Sequence, residues 1–336
     1  MLFSTFMIRL AIPMMMVAGV CLAGTPALAG KVTVNLGYAA AEGSSYGVLA
    51  DKFEELAEKY TNGTVEIKIR CCTQLATEDE AFKAMQLGTV DMYIITGNNV
   101  SPHFPLMDAF VLPYIFQSKE HTFKVLDGPV GKGFADQLHK ATKVHLLTYG
   151  HVGHRDFYTS VRPINTMADM AGLKIRVPKN RVMIATFEAF GAAPIPLAWA
   201  DTPTALQTGT VVGADNGTSF IKSQKFYEIA SNLAILEHFS YFSPLFASSR
   251  VMKKFDDEQR SQILKAAVDA GKHHRDVMGK QVAEIRTFLG KEGGMKTTYP
   301  DKTDFVAAGL KVQDAFAADR GDDFRKLLAD IRGAAK

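Results

Sequence analysis

The first third of the mature chain alternates between two patterns of apolar residues. Apolar side chains occupy every second position in segments 32–36 and 65–69, which predicts strands, and a buried-type apolar run lies at 90–95. Segments 46–60 and 77–88 instead repeat their apolar residues at helical spacing, the second of them after a capping box and before a glycine. Strand, helix, strand, helix, strand is the order of a parallel sheet covered by helices, so an α/β fold is predicted.

The same alternation returns further along the chain. Strands are predicted at 144–149 and 173–177, and a short one at 211–212. A helix is predicted at 180–190, where a glycine closes it, and another begins with Thr202 as its N-cap and a proline in its first turn. The chain therefore has a second region of α/β character.

An unusually long helical pattern begins at Asp256 and continues to Gly293. At about 35 residues such a helix would be on the order of 50 Å long, enough to cross two domains. No stretch rich in Gly, Ser or Pro separates the two α/β regions as a flexible tether would. The pattern predicts two α/β lobes that share several crossings instead of one linker.

The first 29 residues do not follow the globular pattern. They contain one charge, Arg9, then an apolar stretch from Leu10 to Gly24, then an Ala-Leu-Ala sequence that ends at Ala29. This is the order of a secretory signal peptide, and the apolar stretch is short for a membrane span. An uncleaved N-terminal anchor is the alternative. We expect an exported, soluble mature chain that begins near residue 30.

Composition and motifs exclude several classes of protein. The chain has 336 residues, of which 47% are hydrophobic and 22% charged, as in an average globular protein. Its formal net charge is +3 and the charges are scattered, so no nucleic-acid partner is expected. The glycine-rich motifs of nucleotide sites and the G-x-S-x-G motif of serine hydrolases do not occur. We therefore expect no enzyme of these kinds and no cofactor.

Cysteines and histidines are the remaining candidates for metal binding or reactivity. The mature chain has only Cys71 and Cys72, and reduced thiols are favoured because a disulfide between neighbours strains the peptide that joins them, although export permits one. The pair His151 and His154 has a spacing used by metal ligands, but it lies in a predicted strand end and loop without a supporting carboxylate motif. The adjacent histidines that end at His274 are predicted on a solvated helix face. No metal site is expected.

Two arginines lie where a charge is costly. Arg176 interrupts the apolar run from Leu173 to Pro178, and Arg155 comes shortly after a predicted strand end, in Gly153-His154-Arg155. A guanidinium group cannot lose its charge, so in such a setting it must be paired or open to a cleft. Its planar fork can donate two parallel hydrogen bonds to a carboxylate. The alternative is an arginine on the wet side of a strand, or one paired with a structural acid.

The segments around these arginines resemble a known family. Gly153-His154-Arg155, Arg162-Pro163-Ile164 and the run from Asp169 to Pro178 are similar to the core signature of the TRAP transporter solute-binding proteins, the DctP-like family. The same order continues in six further segments: Gln74-Leu75, Gly88–Asp91, Leu112–Phe116, Ala205–Gly209, Gly213–Asn216 and Gln224–Glu228. The resemblance covers essentially the whole mature chain.

This resemblance implies a two-lobed periplasmic-binding-protein fold of the type II kind. Each lobe is expected to be a mainly parallel sheet flanked by helices, and crossing strands and a long helix join the lobes. With residues 1–29 as the signal peptide, lobe I is expected to comprise 30–152 plus 241–282, and lobe II 153–240 plus 283–336. The implied function is that of a periplasmic receptor, expected to be a monomer, that binds a small organic acid such as a dicarboxylate or sugar acid for the permease subunits of a TRAP transporter.

The resemblance also implies roles for individual residues. Arg176 matches the arginine that forms the salt bridge with the ligand carboxylate, and Arg155 matches a second arginine that faces the ligand. Asn216 matches an asparagine that contacts it, and Trp199 falls where the family often places an aromatic residue. Glu78 lies in an acidic stretch that supplies polar contacts from the first lobe.

Two tyrosines, Tyr46 and Tyr93, are candidates for the cleft by position only. Two other functions stay open at this point. A secreted enzyme that acts on acidic sugars would need a nucleophile, a positioned base or a metal, none of which has a recognisable spacing here. A receptor that presents its ligand-bound form to a sensor kinase would have the same sequence features.

Overall fold

Nine strands form one continuous sheet in the part of the chain that this computed structural model describes, Met1 and residues 31–335. The predicted signal peptide lies outside the described residues except for Met1. The strands are β1 (Val32–Tyr38), β2 (Val65–Arg70), β3 (Met92–Ile94), β4 (Val144–Thr159), β5 (Lys174–Val177), β6 (Ala193–Pro196), β7 (Gly213–Gly217), β8 (Asn232–Ser248) and β9 (Lys296–Thr298). Their order is β2-β1-β3-β8-β4-β7-β5-β6, and β9 pairs with β8.

Thirteen α-helices accompany the sheet in these described residues. They are α1 (Ser45–Tyr60), α2 (Glu78–Leu87), α3 (Gly97–Val100), α4 (Asp108–Val111), α5 (Lys119–Leu126), α6 (Pro129–Thr142), α7 (Arg181–Ala189), α8 (Thr202–Gln207), α9 (Thr218–Ser223), α10 (Ser249–Met252), α11 (Asp257–Lys291), α12 (Thr303–Asp319) and α13 (Asp322–Gly333). Among the described residues, no helix combines the length and the apolar character that crossing a bilayer requires.

Two long strands, β4 and β8, run through the middle of the sheet and pair antiparallel with each other. On one side of them β1 pairs in parallel with β2 and with β3, and on the other side β5 pairs in parallel with β6 and with β7. We call β1–β3 with α1–α3 the first half, and β5–β7 with α7–α9 the second half. The predicted two-lobed α/β fold is confirmed: each half contributes a parallel part of the sheet, and the crossing strands join the two parts into one sheet.

The expected lobe boundaries fall inside the crossing strands. Gly153 of β4 pairs with Tyr241 of β8, so the boundaries after residues 152 and 240 lie opposite each other in the sheet. Helix α13 contacts α4 and α6, which precede β4 in the chain, and α12 contacts α7 of the second half. The residue ranges of the two lobes stay a prediction.

Strand β4 is longer than its apolar pattern predicts. The expected strand at 144–149 continues to Thr159, so His151, His154 and Arg155 lie within it and not in a loop. Register shifts interrupt its pairing with β8 between His151 and Gly153 and again after Arg155. Because each shift changes which side chains share a face, the alternation that identifies a strand is lost from the sequence.

Strand β8 was not expected from the sequence at all. Its apolar run contains Pro244, and a proline argues against an inner strand because it has no N–H to donate. The short strand expected at 211–212 is wrong by two residues, since β7 begins at Gly213. Thr202 is the first residue of α8 and Asp201 is its N-cap, which shifts the predicted boundary by one residue.

Helix α11 has 35 residues and confirms the predicted long helix. Its residues Ile263 and Met278 pack in a core with β1 and α1 of the first half, whereas Ile285 and Leu289 pack in a core with α8 and α9 of the second half. A third core on the opposite face of the sheet contains residues of both halves. The helix and the sheet together join the halves over a long distance.

Two expectations about cysteine and histidine are wrong. Cys71 and Cys72 form a disulfide in this structure, where reduced thiols were expected. Both Cys72 (φ 59°) and Thr73 (φ 64°) have left-handed backbone conformations, a turn after β2 that the strain argument did not anticipate. His274 is fully buried, while its neighbour His273 is exposed as expected.

The buried His274 joins three elements. Its Nδ1 accepts a hydrogen bond from the backbone N–H of His151 at 3.2 Å, and its Nε2 lies 2.9 Å from the carbonyl oxygen of Ser45, to which it must donate. Burial lowers the pKa of His274 to about 4, so the neutral ring is the form that connects α11 to β4 and α1.

Candidate functional site

A small cavity lies between the two halves, next to the crossing strands. Its walls are formed by Tyr46, Glu78, Thr96, Asn98, Asn99, Arg155, Arg176, Pro178, Trp199, Asn216, Phe220 and Tyr241. All of the binding residues expected from the sequence lie in these walls except Tyr93. The structure therefore brings together side chains that are far apart in the chain.

Arg176 is buried in the cavity wall and has no acidic partner among the described residues. On β5 its neighbours Ile175 and Val177 pack into the core, so the alternation of the strand turns Arg176 to the other face. Its Nε and Nη2 donate to the carbonyl oxygen of Leu197 at 3.0 and 2.8 Å, and its guanidinium lies 5.7 Å from the ring centre of Trp199.

The charge of Arg176 is therefore only partly compensated. The side chain is 3% exposed, which is not the wet strand face considered as the alternative. Burial lowers the pKa of Arg176, and the nearby positive charge of Arg155 lowers it further. An arginine keeps its proton even so, and an anion in the cavity would supply the missing partner.

Arg155, in contrast, has a carboxylate partner inside the protein. It opposes Gly217 across the β4–β7 pair, which places Asp215, two residues away on β7, on the same face. Nε donates to Asp215 Oδ2 at 2.5 Å, and Nη2 donates to Oδ1 at 3.0 Å and to the carbonyl oxygen at 2.7 Å. This leaves Nη1 on the side of Asn216, whose Oδ1 is 3.5 Å away.

Asp215 is held by a second donor. His238 Nε2 lies 3.1 Å from Asp215 Oδ2 and both side chains are fully buried. Although burial alone would raise the pKa of Asp215, Arg155 and His238 hold it well below its usual range, and burial lowers the pKa of His238. A neutral histidine therefore donates to an ionised aspartate, which fixes the orientation of the Arg155 fork.

Glu78 lies on the opposite side of the cavity, in the first half. It is the first residue of α2 and lies between Thr77 and Glu80, which form the predicted capping box; that box is confirmed. Its carboxyl group accepts hydrogen bonds from Tyr46 at 2.9 Å, from Thr96 at 3.2 Å and from the amide of Asn99. Burial raises the pKa of Glu78, and these three donors and the charge of Arg176 oppose that rise.

Aromatic side chains complete the cavity. The hydroxyl groups of Tyr46 and Tyr241 are 3.2 Å apart, and the Tyr241 ring lies 5.0 Å from the Arg155 guanidinium. Trp199 and Phe220 meet edge to face with their centres 6.2 Å apart. These rings exclude water from the charged groups, which strengthens the interactions of those groups with an enclosed ligand.

Tyr93 does not reach the cavity. It is fully buried on β3, and its hydroxyl donates to the carbonyl oxygen of Ala76 at 2.7 Å. Its ring lies so close to Gly37 that a Cβ atom there would come within 2.5 Å of it. Tyr93 therefore holds the segment before α2 in place and is left out of the proposed ligand contacts.

Asn98, Asn99 and Tyr241 belong to the site but were not predicted as part of it. Thr96, Asn98 and Asn99 follow β3, and polar residues after the carboxyl end of a parallel strand are a known sign of a ligand site. That signal was present in the sequence. Tyr241 belongs to the unexpected strand β8, so no pattern pointed to it.

The histidine pair considered for metal binding is engaged in the fold. The rings of His151 and His154 are 6.2 Å apart, and the ring nitrogens of His151 contact the N–H of Gly153 and the hydroxyl of Ser240. In the described residues, no group of three or more His, Cys, Asp or Glu side chains is placed to hold a metal ion.

The family model for the bacterial extracellular solute-binding proteins of family 7 matches residues 36–319 of the chain. The chain is 30% identical to the 2,3-diketo-L-gulonate-binding periplasmic protein YiaO of Escherichia coli strain K12 over 323 residues, which are 94% of this chain and 97% of that protein. The range matched by the family model includes every residue of the cavity wall.

Solved structures of similar proteins have the same fold. A TRAP periplasmic solute binding protein from Polaromonas sp. JS666 bound to D-erythronate is 29% identical, with a TM-score of 0.85 over 90% of this chain and 98% of that chain. One from Roseobacter denitrificans OCh 114 with bound L-galactonate is 28% identical, with a TM-score of 0.83 over 90% of this chain and 99% of that chain.

Proposed function

The chain belongs to family 7 of the bacterial extracellular solute-binding proteins, and we propose that it is a periplasmic receptor that captures a small organic acid for the permease subunits of a TRAP transporter. The observation that carries the choice of ligand is the buried Arg176, which has no acidic partner among the described residues. A carboxylate is the natural counter-ion for its planar fork. The bound acids of the similar proteins support this choice.

The ligand carboxylate is held from three sides in this proposal. Arg176 forms the salt bridge, and Arg155 donates from the edge that Asp215 leaves free. Asn216 contributes its side-chain amide, whose oxygen is already occupied by the N–H of Gly217 at 2.8 Å. Trp199 covers the Arg176 fork. Each residue contributes a hydrogen bond or shields one from water, and none has to act as a nucleophile or a general base.

Binding and closure are coupled in this proposal. Arg176 belongs to the second half, Arg155 to the crossing strand β4 and Glu78 to the first half, so only the closed arrangement offers all contacts at once. Hydrogen bonds across the cavity edge, such as that from Asn180 Nδ2 to the carbonyl oxygen of Asn98 at 3.1 Å, also require closure. A ligand shifts the equilibrium by as much as it binds the closed form better.

We also propose capture without turnover, which the composition of the same wall supports. In the described part of the chain the cavity is lined by carboxylate, guanidinium, amide, hydroxyl and aromatic groups, and by no histidine, cysteine or lysine. A secreted enzyme for acidic sugars would need a positioned base and a nucleophile. We propose a single-chain receptor located in the periplasm, with its ligand released unchanged.

Titration calorimetry with variants at Arg176 tests the proposal. After a thermal-shift screen of organic acids has identified a ligand, Arg176→Ala should weaken its binding about a hundredfold or more, because the carboxylate loses its buried counter-charge. Arg176→Lys should weaken it less, since lysine keeps the charge but lacks the fork. Arg181→Ala is the matched control, because that arginine is 68% exposed and lies outside the cavity wall. Unchanged binding by Arg176→Ala would contradict the proposal.

A further inference from the structure

Asn180 lies just outside the cavity wall and joins elements from both sides of the crossing strands. It directly precedes α7 and is buried. Its Nδ2 donates hydrogen bonds to the carbonyl oxygen of Asn98 on α3 and to Oδ1 of Asp108 on α4, each at 3.1 Å. Both acceptor residues are buried and come before β4 in the chain, whereas Asn180 follows β5. We call Asn180 and its two acceptors the closure contact.

The orientation of the Asn180 amide is fixed from its own side. Its Oδ1 accepts a hydrogen bond from the backbone N–H of Met183 at 3.0 Å, which makes Asn180 the N-cap of α7. Because a backbone N–H can only donate, the atom that it meets must be the amide oxygen. The amide nitrogen therefore points across to Asn98 and Asp108. One side chain thus begins a helix of the second half and donates to two elements on the other side.

Asp108 has a second partner that does not depend on Asn180. Arg320, between α12 and α13, donates to its Oδ2, and α13 contacts α4. Burial raises the pKa of Asp108, while the hydrogen bonds from Ser101 and Asn180 and the charge of Arg320 oppose that rise. An opening that separates Asn180 from Asp108 therefore breaks a hydrogen bond and leaves the carboxylate paired. The closure contact can form and break without burying an unpaired charge.

We propose that the closure contact sets how long a captured acid stays bound, and that Asn180 is a positioning residue that does not touch the acid. The inference rests on the receptor function proposed above and concerns the release step of the same site. An acid enclosed between the halves leaves through the open form, and opening removes both hydrogen bonds that Asn180 donates. The more these bonds stabilise the closed form, the slower is release.

A neighbouring contact across the halves is weaker on physical grounds. Lys179 pairs with Asp79, but the lysine side chain is exposed, and exposed ion pairs contribute little. The hydrogen bonds of Asn180 are buried, and one of them goes to a carboxylate, which makes it stronger than a bond between neutral groups. Of these two adjacent residues, Asn180 is therefore the one expected to control opening.

Stopped-flow fluorescence with Asn180→Ser tests the inference. Serine keeps an oxygen that caps α7 but is too short to reach Asn98 and Asp108, so it removes the closure contact and retains the start of the helix. Trp199, the only tryptophan of the chain, lies in the cavity wall and reports entry and release. We expect release to be at least about tenfold faster, because a hydrogen bond to a charged group is lost, and association to be nearly unchanged.

Asn165→Ser is the matched control. It makes the same change at an exposed asparagine outside the cavity wall and should leave both rates unchanged. The melting temperature of the empty protein should be similar for Asn180→Ser, Asn165→Ser and the unaltered chain, since the closure contact stabilises the closed form and not the folding of either half. A contact that merely supports the fold would lower this temperature.

Asn180→Asp should release the acid faster still. Aspartate is an equally good helix cap, but it places a second carboxylate within hydrogen-bond distance of Asp108, where like charges repel. Combining it with Asp108→Asn exchanges donor and acceptor, so the amide at position 108 donates to the carboxylate at position 180. We expect the exchanged pair to release at least about threefold more slowly than Asn180→Asp alone, whereas independent defects at the two positions would add.

Gluconate, threonate, malate and pyruvate serve as probes, because they cover longer and shorter acids with one carboxylate or two. Since Asn180 does not touch the acid in this inference, Asn180→Ser should weaken every acid that binds by the same factor and keep the ratios of their affinities. Asn216→Ala, which alters the cavity wall itself, should change those ratios. Titration calorimetry measures both.

The outcomes separate this inference from the receptor function. If Arg176→Ala loses binding while Asn180→Ser releases the acid at the unaltered rate, the inference is wrong and the receptor function stands. A lower melting temperature of the empty Asn180→Ser protein without faster release, or unequal weakening of the acids, also overturns the inference. If none of the four acids binds to the unaltered protein, the receptor function is contradicted together with it.

Discussion

Strand β4 carries an ionic cluster on each face, one fully buried and one partly buried. The inner cluster faces the cavity and consists of Arg155, Asp215 and Arg176. The outer cluster begins one residue later, at Asp156, and lies on the opposite face of the strand. It consists of Asp156, Arg286, Glu237 and Lys302: Arg286 Nη2 is 2.8 Å from Asp156 and 2.9 Å from Glu237, and Lys302 is 2.6 Å from Glu237.

The two clusters differ in charge balance. The outer cluster pairs two acids with two bases, and every charge in it has a partner within the protein. The inner cluster has two guanidinium groups for one aspartate, and Arg176 is left with a backbone carbonyl group. A balanced cluster stabilises the fold, whereas an unbalanced one is completed by something that enters from outside. The comparison predicts opposite results for substitutions on the two faces.

Asp156→Ala should have the largest effect on stability. It leaves the partly buried Arg286 beside only one acid, so we expect a loss near or below the lower end of the about 3–5 kcal/mol that breaking a fully buried ion pair costs. Chemical denaturation should show this loss in the free energy of unfolding, while calorimetry should show nearly unchanged affinity for the ligand. Asp136→Ala, at an exposed position on α6, is the control. A loss of affinity without a loss of stability would reverse the roles assigned to the two clusters.

Arg176→Met should act in the opposite direction on the empty protein. It removes a buried cation that has no acidic partner among the described residues, and a methionine fills similar space, so the free energy of unfolding should rise by about 1–3 kcal/mol. Binding of the ligand should be lost in the same variant. A marked fall in stability would mean that Arg176 is a structural residue like those of the outer cluster.

The two aspartates should titrate in different pH ranges. Burial raises the pKa of Asp156 to about 6 although Arg286 opposes it, whereas the pKa of Asp215 is held well below its usual range. Carboxyl-carbon NMR should therefore show Asp156 gaining a proton near pH 6 and Asp215 staying ionised down to about pH 4. If both aspartates gained a proton in the same pH range, the predicted difference between the two clusters would be wrong.

The raised pKa of Asp156 also has a consequence for stability. Because the folded state takes up this proton more readily than the unfolded state, whose aspartates titrate near about 3.9, the unaltered protein should gain stability relative to Asp156→Asn as the pH falls from about 6 to about 4. Denaturant unfolding of both proteins at these two pH values measures the gain. A relative loss would contradict the sign.

The smallest effect is expected at the rim of the cavity. Lys179 forms a salt bridge with Asp79 across the halves at 3.0 Å, but the lysine side chain is 58% exposed. Exposed ion pairs contribute about 0–1 kcal/mol, so Lys179→Ala should weaken ligand binding by less than about fivefold, and high salt should mask even that. Calorimetry at low and high salt checks both statements; a loss as large as that of Arg176→Ala would contradict them.

Local patterns were sufficient for much of the fold but not for the crossing strands. Helices α1, α2, α7 and α11 have regular apolar spacing and clear end signals, and the structure places them within a few residues of the prediction. Strand β8 and the second part of β4 have neither, because they carry register shifts, a proline and long buried runs. Their pairing depends on residues about a hundred positions apart, which no local pattern encodes.

The site divides in the same way. The sequence indicated that Arg176 is exceptional, because a charge in an apolar run needs an explanation, and the structure places it in the cavity wall. The sequence did not reveal that Arg155 forms an ion pair with Asp215, or that His238 donates a hydrogen bond to Asp215. Those contacts arise from strand register and from a ring on the unexpected strand β8. Only the folded structure therefore shows which of the two arginines has an acidic partner.

Helix α11 packs into one core in its first part and into another near its end, with no buried residue in the section between them. Met278 is its last residue in the first-half core and Ile285 its first in the second-half core, and residues 279–284 between them are not buried. A helix that is packed at two places bends most easily in the section between them, where its side chains are not packed in a core. Motion between the halves should therefore be concentrated in fewer than two helical turns. The rate of amide hydrogen–deuterium exchange in this section should differ between the ligand-bound and the ligand-free protein.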